Sequence, residues 1–243
     1  MKHIVCMKWG QKFPPSYVNT LAAMVRRNLE PPYRFICFTD DGANLDPSIE
    51  VRPLPDMTLE TSLPERGWRK LTILGNNLGN DLTGPALFLD LDVLILDNLQ
   101  PFFDRPGKFF IIHEWGFKDT VIGNSSVFRF NFGEHHDVLE HFVKHGEEVR
   151  RQYRNEQAYL SHSINRKGIL EYWDGTWCRS FKRHCMQSFP LCHFVPPKKP
   201  QGAKIVIFHG DPNPDAVLAG WVGHFGFRAA RPADWIAKNW IPD

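Results

Sequence analysis

Apolar runs and helical repeats alternate through most of the chain. Residues 3–7 form a short apolar run, and residues 16–29 then repeat apolar side chains at helical spacing, with Val18, Leu21, Ala22 and Val25 on one side. Pro31-Pro32 stops this helix, residues 34–39 read as a second buried strand, and Asp40-Asp41-Gly42 reads as the turn after it. Strand, helix and strand in this order predict a parallel β-α-β unit. Residues 50–54 predict a third short strand, and residues 68–78 a helix with Leu71, Leu74 and Leu78 on one face, closed by Gly79. Ala86-Leu87-Phe88-Leu89 is apolar at every position, the pattern of a strand covered on both faces. Further strands are predicted at 109–113, 126–130 and 204–208, and helices at 134–151 and 156–164, while 169–204 is irregular. No repeat or linker divides the chain. The expectation is one α/β domain over residues 1–243, a single Rossmann-like, mostly parallel sheet flanked by helices, with an irregular carboxy-terminal elaboration.

Composition narrows the class. Hydrophobic residues at 42% and charged residues at 23% are ordinary for a globular domain. The 19 Phe and 8 Trp either stack on sugar rings or bases or fill a Phe-rich core, and the core is the default. A net charge of +2 gives no reason to expect nucleic acid. The basic run Arg179, Lys182, Arg183, Lys198, Lys199 and Lys204 could be a solvated face, or a rim that meets a phosphorylated donor or an anionic lipid surface. The longest apolar stretch, 86–96, is interrupted by Asp90 and Asp92 and is not a membrane span. Five cysteines without paired short spacings, and no signal-peptide pattern after Met1, lead us to expect free thiols in the cytoplasm, with peripheral contact at the inner face of a membrane as an extension. Cys178, His184, Cys185, Cys192 and His193 lack the tight C-x-x-C pairs of a structural zinc site.

Four segments carry candidate chemistry. Asp90-Leu91-Asp92 follows the buried strand directly, and ligands of open α/β sheets bind at strand carboxyl ends. Two carboxylates there want a cation, either an arginine or a hard divalent ion that bridges two phosphates. His209, at the end of the last apolar strand, either completes that coordination shell or is an edge residue. Lys70 could neutralise phosphate or orient a sugar, and taken alone reads as a helix-surface lysine. Asn124-Ser125-Ser126 and Asn155-Glu156-Gln157 offer small polar groups suited to sugar hydroxyls, or are a loop and a helix cap.

In this order the segments resemble the retaining glycosyltransferases of family 8 and their relatives on the GT-A fold. That family has a lysine or arginine before an apolar strand and then Asp-x-Asp. An Asn-Ser-Gly-Val segment follows, then Asp-Gln-Asp-like residues opening a helix, and a late His-x-x-Gly-x-x-Lys-Pro-Trp. Here the counterparts are Lys70, Phe88-Leu89-Asp90-Leu91-Asp92, Asn124-Ser125-Ser126-Val127, Asn155-Glu156-Gln157 and Phe208-His209-Gly210-Asp211-Pro212-Asn213-Pro214, spanning about residues 1–215. The resemblance implies that Asp90, Asp92 and His209 hold Mn²⁺ or Mg²⁺. It implies that Lys70, Asp90, Asn124, Ser125 and Gly210 contact the donor, and that Glu156 and Gln157 lie where the anomeric carbon reacts. Ser126 replaces the family's glycine, and Asn213 stands where the family has a phosphate-contacting lysine. Leaving-group charge would then fall to Lys70, Arg69 or Lys204.

The reaction the resemblance implies moves a hexose from a nucleotide diphosphate sugar, UDP-linked in the family's manner, to a glycan or glycolipid hydroxyl with retention. Two rival readings are a haloacid-dehalogenase-like phosphatase, which also opens on a strand ending in Asp-x-Asp, and an inactive sugar-nucleotide-binding module. The phosphatase pattern puts its pair near the amino terminus with Thr or Val two residues after the second aspartate, whereas Leu94 holds that place here.

Overall fold

A computed structural model describes residues 1–59, 63–116 and 121–242. Its main sheet has seven strands: β1 (Lys2–Lys8), β2 (Tyr33–Thr39), β3 (Glu50–Pro53), β4 (Pro85–Leu89), β6 (Phe109–His113), β7 (Gly123–Asn131) and β8 (Leu170–Tyr172). β5 (Val93–Ile95) lies between β4 and β6 in sequence and belongs to a second sheet. The main order is β3-β2-β1-β4-β7-β6-β8. β7 pairs antiparallel with both neighbours, and every other pairing is parallel.

Alternation along the strands builds two cores. Ile4 and Cys6 of β1 and Leu87 and Leu89 of β4 face one side with α1 (Pro15–Asn28), whose Val18, Leu21 and Val25 are fully buried. Val5, Met7, Ala86 and Phe88 face the other, against α3 (His136–Gln152) and α4 (Glu156–Arg166), while the short α2 (Gln100–Asp104) follows β5 in sequence. The Phe-rich core is realised there: Phe88, Phe109, Phe128 and Phe130 are buried and form a chain of ring contacts. All five cysteines are buried free thiols.

Three predicted elements differ. The expected helix at 68–78 is a 3₁₀ helix over Trp68–Leu74, entered at Gly67 and left at Gly75, so Leu78 lies beyond it. The segment expected to be irregular supplies β8 at the sheet edge and β9 (Cys178–Ser180), followed by a π-helical turn over Phe181–Cys185. The strand expected at 204–208 is β10 (Ile205–Ile207), and it does not enter the main sheet. It lies between β5 and β9, antiparallel to the first and parallel to the second. Periodicity identifies a buried strand but not its partner, since an apolar run satisfies either sheet equally. No helix among the described residues is long and apolar enough to cross a membrane.

One buried cation fastens the far edge of the sheet. Arg129, on β7, is almost wholly buried, and its guanidinium donates to the carbonyls of Phe102, Phe103, Arg105 and Gly107 at 2.7–3.3 Å while lying over the Phe110 ring. Its planar fork carries five N–H donors and reaches four carbonyls together, one more than the three donors of an ammonium could serve. Arg129→Ala is expected to lower the unfolding free energy by on the order of 3 kcal/mol, because the carbonyls lose their donor inside the core. Arg129→Lys should restore only part of this, as read from urea unfolding.

Candidate active site

The direction of β7 assembles the site. Because β7 runs against β4, its amino-terminal end lies beside the carboxyl end of β4, with Leu89 opposite Val127. The pairing continues one step further, where the Asp90 amide donates to the Ser126 carbonyl at 2.9 Å. Asn124 and Ser125 therefore stand beside the aspartates despite a separation of more than thirty residues. Ser126 is held by its own turn, its amide donating to Asn124 Oδ1 at 3.0 Å.

Lys70 is buried, not a surface lysine. Its ammonium lies 2.8 Å from Asp90 Oδ1 and 3.6 Å from Glu156 Oε1, and donates to the Ser125 hydroxyl and carbonyl at 3.2 and 3.3 Å. The Ser125 hydroxyl donates in turn to Glu156 Oε1, and the Ser125 amide to Gln157 Oε1 at 3.4 Å. Glu156 opens α4 behind the Asn155 cap, whose Oδ1 accepts from the Ala158 amide at 3.2 Å. The entry to the Lys70 turn requires glycine: Gly67 has φ +80°, and a Cβ there would stand 3.1 Å from Glu156 Oε2. Burial works against the charge on Lys70, yet Asp90 and Glu156 outweigh it and hold its pKa above the usual lysine value. Burial raises Glu156, and Lys70 and Ser125 oppose that rise.

After Asp90 the chain leaves the main sheet, and Asp92 leads into β5. Asp92 is buried, and burial followed by repulsion from Asp90 pushes its carboxyl up to about 7, against the pull of Lys12 and Lys70. Its carbonyl accepts from the Phe208 amide at 3.1 Å, so the second sheet brings the His209 segment alongside. His209 Nε2 is hydrogen-bonded to the Ser180 hydroxyl at 2.7 Å, and its ring stacks on Trp115 at 5.7 Å. Gly210 follows with φ +69° and is exposed. Among the described residues no three His, Cys, Asp or Glu side chains stand close enough together to hold a metal ion, at Asp90, Asp92 and His209 or in the Cys-His region. Lys204 is taken up elsewhere, paired with Asp97 at 3.0 Å and lying over Trp177.

A cleft of about 380 Å³ opens over this arrangement, within the range of small-molecule sites. Lys70, Asp90 and Asp92 line it together with Trp9, Lys12 and Phe13 from the loop after β1. Sequence reasoning missed that loop. The signal was present, since Trp9-Gly10-Gln11-Lys12-Phe13 follows the first parallel strand at its carboxyl end.

This topology is that of the GT-A glycosyltransferase fold. Among solved structures, the galactosyltransferase LgtC in complex with donor and acceptor sugar analogues is similar over 87% of this chain and 88% of its own, at 16% identity and a TM-score of 0.58. An active-site mutant of LgtC matches over 87% of this chain and 89% of its own at the same identity and TM-score. The glycosyltransferase GlyE of Streptococcus pneumoniae matches over 88% of this chain, which spans 56% of GlyE, at 12% identity and a TM-score of 0.56. No family model and no curated protein matches the sequence. At these identities the likeness establishes the fold.

The raised Asp92 pKa has a measurable sign. A carboxyl that titrates near 4 unfolded and near 7 folded holds its proton more tightly in the native state. Its contribution to stability is complete below about pH 4 and is lost as pH rises to about 7. In chelator, the wild-type protein should lose stability over that window on this account, and Asp92→Asn should remove that part of the slope, read by thermal unfolding across pH.

Proposed function

We propose that this protein is a metal-dependent glycosyltransferase that moves a hexose from a nucleotide diphosphate sugar, UDP-linked by resemblance, to a hydroxyl of a glycan or glycolipid. The observation that carries the reading is the Lys70–Asp90–Glu156–Ser125 cluster at the end of β4, of which Lys70 and Asp90 line the cleft together with Asp92. The likeness to LgtC and GlyE supports it at the level of the fold.

The donor set suits a hard divalent cation. Asp90 and Asp92 repel each other strongly enough to help keep Asp92 protonated near neutrality, and a cation relieves that repulsion. Asp90 and Asp92 would hold Mn²⁺ or Mg²⁺, and His209, which does not stand with them as a ready-made set, would become a third ligand only by giving up its Ser180 hydrogen bond. When bound, the ion supplies charge neutralisation to the departing diphosphate.

The chain's own groups do the rest. Lys70 stays charged and fixed because Asp90 and Glu156 grip it, so its field is preorganised before the donor arrives. Glu156 is buried behind Ser125 and acts through Lys70 as a positioning residue. Gln157 is partly exposed beside it, and with Asn124 it is proposed to meet the donor sugar. Transfer breaks the bond from the anomeric carbon to the diphosphate oxygen and forms one to the acceptor oxygen, whose proton leaves. Retention, taken from the resemblance, places the incoming hydroxyl on the face of the leaving phosphate. That phosphate can accept the proton, which suits a site whose candidate side chain, Gln157, is a poor nucleophile.

UDP should bind at least about tenfold more tightly with Mn²⁺ than in EDTA, and Asp90→Asn and Asp92→Asn should each abolish both this gain and UDP release from a UDP-hexose. Equal UDP affinity in EDTA defeats the proposal, and release of inorganic phosphate instead of UDP would indicate a phosphatase. His209→Ala should weaken Mn²⁺-dependent UDP binding by roughly ten- to a hundredfold while changing metal-free unfolding by no more than about 1 kcal/mol. An unaltered Mn²⁺ response removes His209 from the site.

A further inference from the structure

His209 borders a second cleft, of about 490 Å³, with a different chemistry. Lys182, Arg183 and Arg228 line it, Phe189 and Phe227 stand at its wall, and no carboxylate lines it among the described residues. The first cleft holds carboxylates against cations. The second gathers cations alone.

Lys182, on the π-helical turn after β9, is half-buried and has no carboxylate in ion-pair range among the described residues. Burial and the neighbouring Arg228 lower its pKa, with Asp211 and Asp92 pulling weakly the other way. Holding two like charges together costs free energy, and an anion between them offsets it. The aromatic wall is built rather than loose. Phe189 and Phe227 meet edge to face at 5.7 Å although 58% and 67% exposed. His193 ties their loops together, its ring 6.0 Å from Phe189 and its Nε2 2.7 Å from the Gly226 carbonyl. Exposed phenyl faces beside cations suit a ligand with an apolar ring face and a negative group, as a charged sugar has.

We propose that this cleft is the acceptor subsite and takes a glycan bearing an anionic group, a phosphate or a carboxylate, next to the sugar that packs on Phe189 and Phe227. The assignment rests on the glycosyltransferase reading. The Phe208 amide bonded to the Asp92 carbonyl makes the two clefts neighbours, so a ligand in the second lies next to the strand end that carries Asp92. Binding the acceptor's charge directly by Lys and Arg, away from the aspartates, also keeps it from competing for a cation at Asp90 and Asp92.

Calorimetry with glucose 6-phosphate, glucuronate, glucose and inorganic phosphate tests this on the whole chain, with Mn²⁺–UDP titrated separately. The charged sugars should bind roughly tenfold or more tighter than glucose, and than phosphate alone. Arg228→Gln should remove most of the preference for charge, and Phe227→Ala should weaken the sugars while leaving phosphate unchanged. Both side chains are exposed, so the variants should unfold as wild type does. Lys182→Arg should keep the preference that Lys182→Gln reduces. Equal affinity for glucose and the charged sugars overturns the proposal, as does phosphate binding as well as glucose 6-phosphate. So does an Arg228→Gln variant that loses Mn²⁺–UDP affinity in step with glucose 6-phosphate, which would put these cations on the donor. Charged-sugar binding without any Mn²⁺–UDP binding would overturn the transferase reading and leave an anionic-sugar site.

Discussion

A lysine ammonium taken out of water must be held by carboxylates or lose its charge, and the buried Lys70 imposes that condition on three distant stretches of chain. Asp90 follows the end of β4, Glu156 opens α4, and Ser125 lies on β7. The contacts among them hold the 3₁₀ turn, β7 and α4 in one relation. Breaking any one leaves a buried charge or polar group without its partner, which makes the arrangement stiff. Stiffness is what a site needs if its charges are to be in place before a reaction begins.

The second constraint is the divergence of the chain at Asp90-Leu91-Asp92. Up to Leu89 it belongs to the main sheet, and from Val93 to the small one. The two carboxylates therefore stand where two sheets part, which is how a cleft with charged walls can open beside strands as apolar as β4 and β10. Burial next to Asp90 keeps the Asp92 proton on until about pH 7, so the metal-free site is poised between protonated and charged forms.

Charge is also sorted between neighbouring clefts. The first is lined by Glu65, Asp90 and Asp92 together with Lys8, Lys12, Arg66 and Lys70, and the second by Lys182, Arg183 and Arg228 with no carboxylate among the described residues. His209, bonded to Ser180 and stacked on Trp115, lines the second.

Much of this was legible in the chain itself. The continuous run at 86–89 announced a strand buried on both faces, and two aspartates immediately after it announced a charged site, because burial of unpaired carboxylates is costly wherever the strand lies. The β-α-β opening gave a parallel sheet, since helical and strand periods are local properties of the side-chain pattern. What the sequence alone could not determine is pairing. Nothing local says that β7 runs against β4, yet that direction brings Asn124 and Ser125 to Asp90. Nothing local distinguishes the Lys70 turn from a surface helix, because its burial comes from Trp68 packed against Phe142 and from carboxylates supplied by other segments. The apolar run ending in His209 gave a strand, but only tertiary structure assigned it to a second sheet, since apolar side chains specify burial and backbone hydrogen bonds accept any partner that geometry offers.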